Sequence, residues 1–143
     1  MEVCKTALVG RSAIETFDLI EAAEHYPEFL PWCADAVVLA RSKSLVSARI
    51  TIAFHGIRFS LTTRNLKRRP RWMAIHMEEG PFRRFEGEWR LTELGPDACR
   101  IDFQLRYEWG GVLTGLFARR FFSQIADTMV DAFARRAEQG AKR

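Results

Sequence analysis

The chain has 143 residues, of which 48% are hydrophobic and 28% are charged. This composition excludes a disordered chain and predicts a single globular domain over residues 1–143. The formal net charge of +4 is smaller than a dedicated nucleic-acid binder usually carries. No apolar run reaches the roughly 18 residues that a transmembrane helix needs, and the first residues lack a signal-peptide core. We therefore expect a cytoplasmic protein, with peripheral contact at the inner membrane left open.

The N-terminal part predicts a strand, a helix and a short proline-containing segment. Alternating side chains over residues 3–9 predict the strand. Ser12 and Glu15 have the spacing of a capping box, which predicts a helix that starts there and ends near residue 24. The prolines that follow permit only a single turn, beginning at Pro27. Large apolar side chains in this segment must enter the core, line a pocket or face a partner: Tyr26, Phe29, Leu30 and Trp32.

The middle of the chain has apolar side chains at every second position, which is typical of half-buried strands. Turns are predicted at His55-Gly56, at the basic segment 67–71 and at residues 95–97, with a break at residues 79–81. Hairpins with one polar face predict an antiparallel sheet of about seven strands, and Gly56 and Gly87 are candidate bulges where it bends. After the first strand, the predicted strands cover residues 36–42, 46–54, 57–64, 73–77, 85–91 and 99–109.

The last long segment, residues 112–139, predicts one C-terminal amphipathic helix because its apolar residues have helical spacing and no proline interrupts it. Gly140 is the expected stop, and residues 140–143 are expected to fray. Its apolar stripe comprises Leu113, Leu116, Phe117, Phe121, Ile125, Met129, Phe133 and Ala137, widened by Phe122, Ala126 and Val130. Since the sheet and the helix each need an apolar cover, we predict an α+β helix-grip fold, with the curved sheet wrapped round this helix.

Signatures of catalysis are absent from the sequence. No nucleophile–base grouping or glycine-rich phosphate loop is present, and the cysteines and histidines lack metal-ligand spacing. The neighbouring carboxylates Glu78 and Glu79, and Glu86 and Glu88, are explained by a solvated strand edge. We expect a protein without enzymatic activity, cofactor or metal, and a cyclase-type activity rests on fold analogy alone.

The excess of large apolar side chains, with few polar anchors, suits a pocket for an apolar ligand. The same residues can also make a dense core, and both interpretations stay open. The candidate ligand-binding residues are Tyr26, Phe29, Leu30, Trp32, Phe59, Phe85, Trp89, Trp109, Phe117 and Phe121.

Clustered cations form the second candidate site. They can be an ordinary soluble surface, or they can contact an anionic membrane or ribosomal RNA phosphates. Stacking motifs for RNA bases are absent from the sequence. The residues are Arg64, Lys67, Arg68, Arg69, Arg71, Arg83 and Arg84.

The stretch YPEFLPWC at residues 26–33 resembles the bacterial coenzyme Q-binding START-domain family, in the polyketide cyclase/dehydrase and lipid-transport superfamily. The resemblance extends from about residue 5 to residue 137. It is supported by TRN at 63–65, GPF at 80–82, GEW at 87–89 and DAFARRA at 131–137.

This resemblance implies a helix-grip fold and no catalytic triad. It implies a protein that binds ubiquinone or a related isoprenoid lipid in its cavity and supports respiration. It also implies a competing role, because relatives include a ribosome association toxin: binding the large ribosomal subunit and blocking subunit joining.

Overall fold

The computed structural model describes residues 1–110 and 116–141, and within the last helix it describes the side chains of residues 120–140. Seven strands form one sheet in the order β1-β7-β6-β5-β4-β3-β2, and all neighbouring strands are antiparallel. The strands are β1 (Glu2–Val9), β2 (Cys33–Arg41), β3 (Leu45–Phe54), β4 (Ile57–Arg68), β5 (Trp72–Glu79), β6 (Phe82–Gly95) and β7 (Ala98–Trp109). The helices are α1 (Ala13–Glu21), a 3₁₀ helix (Ala23–Glu28) and α2 (Leu116–Ala141).

The core lies between the inner face of this sheet and α2, which confirms the predicted α+β helix-grip fold. Residues on the inner face of the strands alternate with exposed residues, because successive side chains of a strand point to opposite faces. The buried side chains of α2 follow helical spacing: Phe122, Ile125, Ala126, Val130, Phe133, Ala134 and Ala137. Phe121 and Met129, predicted within the stripe, lie half-buried at its edge. The predicted residues 112–115, and the side chains of Leu116 and Phe117, lie outside the described residues.

Helix α1 begins at the predicted N-cap but ends earlier than predicted. Ser12 Oγ accepts a hydrogen bond from the backbone N–H of Glu15 at 3.1 Å. The chain leaves the helical conformation at Ala22 (ψ 67°), so α1 ends at Glu21 rather than near residue 24. The turn that follows is the 3₁₀ helix, and Pro27 lies near its end rather than at its start. This 3₁₀ helix carries the aromatic segment across one end of the core.

Three glycine predictions were wrong. Gly56 is no bulge, but it forms the predicted turn with His55, a tight hairpin with φ values of 81° at Gly56 and 46° at His55. Gly87 also stays in register, opposite Ile75, where a Cβ atom would come within 3.3 Å of the Ile75 Cδ1 atom. The register shifts of β6 occur instead near its two ends. Gly140 does not stop α2, which continues to Ala141.

Candidate functional site

An apolar cavity of about 110 Å³ lies between the inner face of the sheet and α2. Four of the candidate ligand-binding residues line it: Tyr26, Trp32, Phe85 and Trp89. Strands β3 and β4 supply aliphatic side chains such as Val46, Ile52 and Leu61 to the remaining wall. The segment between the two prolines therefore contributes directly to the cavity wall.

Five other candidates whose side chains are described do not line the cavity: Phe29, Leu30, Phe59, Trp109 and Phe121. Phe29 packs edge-on against Phe133, with 5.2 Å between ring centroids, and Leu30 is fully buried in the core. Phe59 and Trp109 belong to an aromatic cluster around Phe82, which stacks on Trp109 at 4.4 Å. Phe59 and Trp109 thus pack on other rings of the cluster, while their neighbours Phe85 and Phe122 line the cavity.

Phe121 and Phe117 complete the list of candidates. The Phe121 ring lies 4.5 Å from the His55 ring and 5.5 Å from the Phe54 ring, at the hairpin turn between β3 and β4. The side chain of Phe117 lies outside the described residues.

Sequence reasoning missed several residues that line the cavity. They include the α2 residues Phe122, Ile125, Ala126, Met129 and Phe133, and the β7 residues Phe103 and Leu105. The small side chains Ala48 and Ala126 matter most, because they leave the volume that larger residues would fill. The alternation of β3 placed Ala48 on the inner face, so its size was a usable signal.

One part of the cavity wall is polar and involves α1 and β4. Glu21 lines the cavity, and its Oε1 atom accepts hydrogen bonds from Lys67 Nζ and Arg41 Nε, each at 2.8 Å. Asn65 also lines the wall, and within the described residues its Oδ1 atom is buried without a hydrogen-bond donor. A buried carbonyl oxygen without a donor favours a ligand that carries an O–H or N–H group.

The Tyr26 phenol has a structural role at the cavity. Its hydroxyl donates a hydrogen bond to the backbone carbonyl of Ile20, which joins the 3₁₀ helix to α1. Burial raises the pKa of Tyr26 above its ordinary value. The phenol therefore stays neutral at physiological pH, and the cavity gains no charge from it.

The volume of the cavity limits what it can hold. An engineered protein cavity of about 150 Å³ accepts one benzene molecule, and sites for larger ligands are usually about 300 Å³ or more. The cavity of about 110 Å³ is therefore close to the size that holds a single small ring, and smaller than the usual site for a larger ligand such as one with a polyprenyl tail.

The predicted basic residues fall into two groups. Lys67 is only 9% exposed and is held by Glu21, while Arg69 pairs with Asp18 at 2.7 Å. Arg84 lies 3.3 Å from Glu86. The exposed members without an ion-pair partner, within residues 1–110 and 116–141, are Arg64, Arg68, Arg71 and Arg83.

Two properties of the described residues bear on the class of protein. No helix among them is long and apolar enough to cross a membrane. No group of three or more His, Cys, Asp or Glu side chains in the same residues is arranged to hold a metal ion.

The curved sheet, the long helix and the apolar hollow between them define a START-like helix-grip protein. A family model described as polyketide cyclase / dehydrase and lipid transport matches residues 9–134, so the chain belongs to this family. The fold is also similar to that of a START superfamily protein from Mycobacterium smegmatis, with a TM-score of 0.80 and 22% identity over 96% of this chain and 97% of that one.

Two named relatives differ in what their names describe. The ribosome association toxin RatA of Pseudomonas aeruginosa is 38% identical over 135 residues, which is 94% of this chain and 94% of that protein. The mitochondrial coenzyme Q-binding protein COQ10 homolog B of Xenopus laevis is 25% identical over 146 residues, covering 96% of this chain and 58% of that protein.

Proposed function

We propose that this protein associates with ribosomes in the cytoplasm, without enzymatic activity, by binding the large subunit and hindering subunit joining. The observation that carries this proposal is the 38% identity to a ribosome association toxin along nearly the whole of both chains. The small cavity and the exposed, unpaired arginines support a surface role in preference to transport of a long lipid.

This proposal is tested by sedimentation with isolated ribosomal subunits. We expect the protein to sediment with large subunits and not with small subunits. Because phosphate contacts release counterions, we expect binding to weaken by at least tenfold between about 50 and 200 mM salt. Absence from the large-subunit fraction at the lower salt concentration would contradict the proposal.

A second candidate function is the binding of ubiquinol or another isoprenoid ligand with a donor group on its ring. Two features of the cavity favour it: the apolar wall, and the Asn65 carbonyl oxygen without a donor. The similarity to a coenzyme Q-binding protein points to the same ligand class. In this case the ring occupies the cavity and the tail leaves it through an opening made by movement of α2.

Ligand extraction separates this second function from the first. If the cavity binds lipid, protein purified without detergent carries quinone or isoprenoid by mass spectrometry. Ala48→Phe fills the cavity and abolishes that signal, whereas the control Ala53→Phe, on the outer face of β3, keeps it. Wild-type protein that is empty, and takes up no ubiquinol from vesicles kept under a reductant, rules this function out.

A further inference from the structure

The positive charge of the chain is concentrated in three adjacent strands. Residues 33–68, which span β2, β3 and β4, hold seven of the chain's 22 basic residues but only one of its 18 acidic residues. The remaining 15 basic residues are therefore outnumbered by 17 acidic ones. Two of the seven, Arg41 and Lys67, are paired with Glu21 of α1, and the other five have no ion-pair partner within the described residues.

Four arginines of this half share the outer face of the sheet, away from α2. All four are exposed: Arg49, Arg58, Arg64 and Arg68. Arg49 lies on β3, and the others lie on β4, where they alternate with inner-face residues such as Leu61 and Thr63. We call these four residues the β3–β4 arginine face.

Among the side chains that the structure describes, no carboxylate pairs with this face. Within the described residues, none of its four arginines forms an ion pair, although Arg68 lies over the Trp72 ring at 5.9 Å. Four arginines on the outer face of the other half of the sheet each have a carboxylate partner: Arg84 with Glu86, Arg90 with Glu88, Arg100 with Asp102, and Arg106 with Glu2. The same sheet face is thus balanced in one half and positive in the other.

The surroundings of the β3–β4 arginine face match the chemistry of a phosphate backbone. Ser47 lies opposite Arg64 and its hydroxyl donates a hydrogen bond to the Thr63 carbonyl, and Ser60 occupies the outer-face position after Arg58, where its hydroxyl is hydrogen-bonded to that of Thr51. Arginine guanidinium groups bind phosphate in a bidentate manner, and serine hydroxyls are common phosphate contacts in nucleic-acid complexes. Arg58 and Arg68 are ten residues apart on one strand, or about 33 Å, which is long enough to follow several phosphates.

We propose that the β3–β4 arginine face binds the phosphate backbone of RNA. We identify that RNA as ribosomal RNA exposed on the large subunit, and this identification rests on the proposed function. All four cations of the face are arginines, and hydroxyl groups lie between them, which favours RNA. Proteins that bind an anionic membrane surface usually insert apolar side chains in addition to using charge. Leu66, which is 44% exposed between Arg64 and Arg68, and Val37, which is 43% exposed opposite Arg49, make vesicle binding the alternative to measure.

The test compares two variants that lose the same charge from the same face of the sheet. The first replaces the β3–β4 arginine face by glutamine at all four positions. The control replaces Arg84, Arg90, Arg100 and Arg106 by glutamine. Binding is measured to large subunits, to deproteinised large-subunit RNA, and to vesicles of phosphatidylcholine with phosphatidylglycerol. Thermal unfolding close to that of the wild type shows that both variants fold.

We expect the first variant to bind subunits and free RNA on the order of 100-fold more weakly than the wild type, and the control to stay within threefold. Each phosphate contact adds about 0.7 to 0.9 to the salt dependence of log K, so the loss of four contacts reduces that slope by about three. The control keeps the wild-type slope, because its arginines are engaged by carboxylates.

The outcomes distinguish this inference from the proposed function. Suppose the wild type binds subunits, and either both variants lose binding equally or the first variant loses none. The arginine face is then not the binding site, and ribosome association remains supported. Binding to free RNA through the arginine face, without binding to subunits, supports the face and overturns ribosome association. If the first variant loses binding to vesicles only, the face binds membranes and the inference is overturned. The inference is also overturned if the wild type binds neither RNA nor subunits.

Discussion

Replacement of Phe133 by alanine is expected to lower the free energy of unfolding by about 3 to 5 kcal/mol, the range for deleting a buried aromatic ring. Phe133 is 1% exposed and lies in the wall of the cavity. Its ring centroid is 5.2 Å from those of Tyr26, Phe29 and Trp89, all in edge-on arrangements. The substitution therefore removes the contact by which α2 holds both the 3₁₀ helix and β6.

Urea unfolding followed by tryptophan fluorescence measures this loss. Phe133→Leu is the control, because it keeps most of the apolar volume and loses only the ring contacts, so its effect should be less than half as large. Equal stability of Phe133→Ala and wild type would show that α2 does not pack on the aromatic segment as described.

Replacement of Glu21 by glutamine is the second substitution with a large expected effect, about 3 kcal/mol of lost stability. The Glu21 side chain, on α1, is 16% exposed, and that of Lys67 is 9% exposed. Glu21 Oε1 lies 2.8 Å from Lys67 Nζ. It also binds Arg41 at 2.8 Å. Glutamine leaves the Lys67 ammonium group nearly buried without a counter-charge, and an unpaired buried charge costs more than the pair contributed.

The matched control is Asp18→Asn, one turn earlier on the same helix. Asp18 pairs with Arg69 at 2.7 Å, but both side chains are at least half exposed. Exposed pairs contribute little because water screens them, so thermal unfolding of this variant should match that of the wild type. If the two substitutions destabilised the protein equally, the burial of the Glu21–Lys67 pair would be contradicted.

The fold was predictable from the sequence because its signals are local. Period-two alternation located the strands, the Ser12–Glu15 spacing located the start of α1, and helical spacing located α2. The predicted helix end near residue 24 was wrong because α1 ends where the backbone of Ala22 becomes non-helical, and the sequence contains no local signal for that conformation.

The site was less predictable because it depends on distant pairings. Lys67 and Arg69 looked like free surface cations, yet their carboxylate partners on α1 lie 46 and 51 residues away along the chain. Likewise, Trp109 and Phe59 pack in the aromatic cluster around Phe82 and do not line the cavity. Composition alone does not distinguish a ring packed in a cluster from a ring in a cavity wall.

Arg49 and Arg58 were missed for a different reason. The sequence prediction grouped cations that are consecutive in the chain, such as residues 67–71, although neighbours on a strand point to opposite faces. The alternation over residues 57–64 already puts Arg58 and Arg64 on one face of the strand, and extending it to Arg49 and Arg68 places all four arginines on one face of the sheet. The strand period therefore holds information about surface charge as well as about the core.

Subunit joining tests the central claim most directly. Small and large ribosomal subunits are mixed at a magnesium concentration that favours joining, and light scattering follows their association with and without the purified protein. We predict that the protein lowers the amplitude of joining in proportion to its occupancy of the large subunit, and that the variant lacking the β3–β4 arginine face does so far less. Full joining in the presence of saturating wild-type protein would contradict the account.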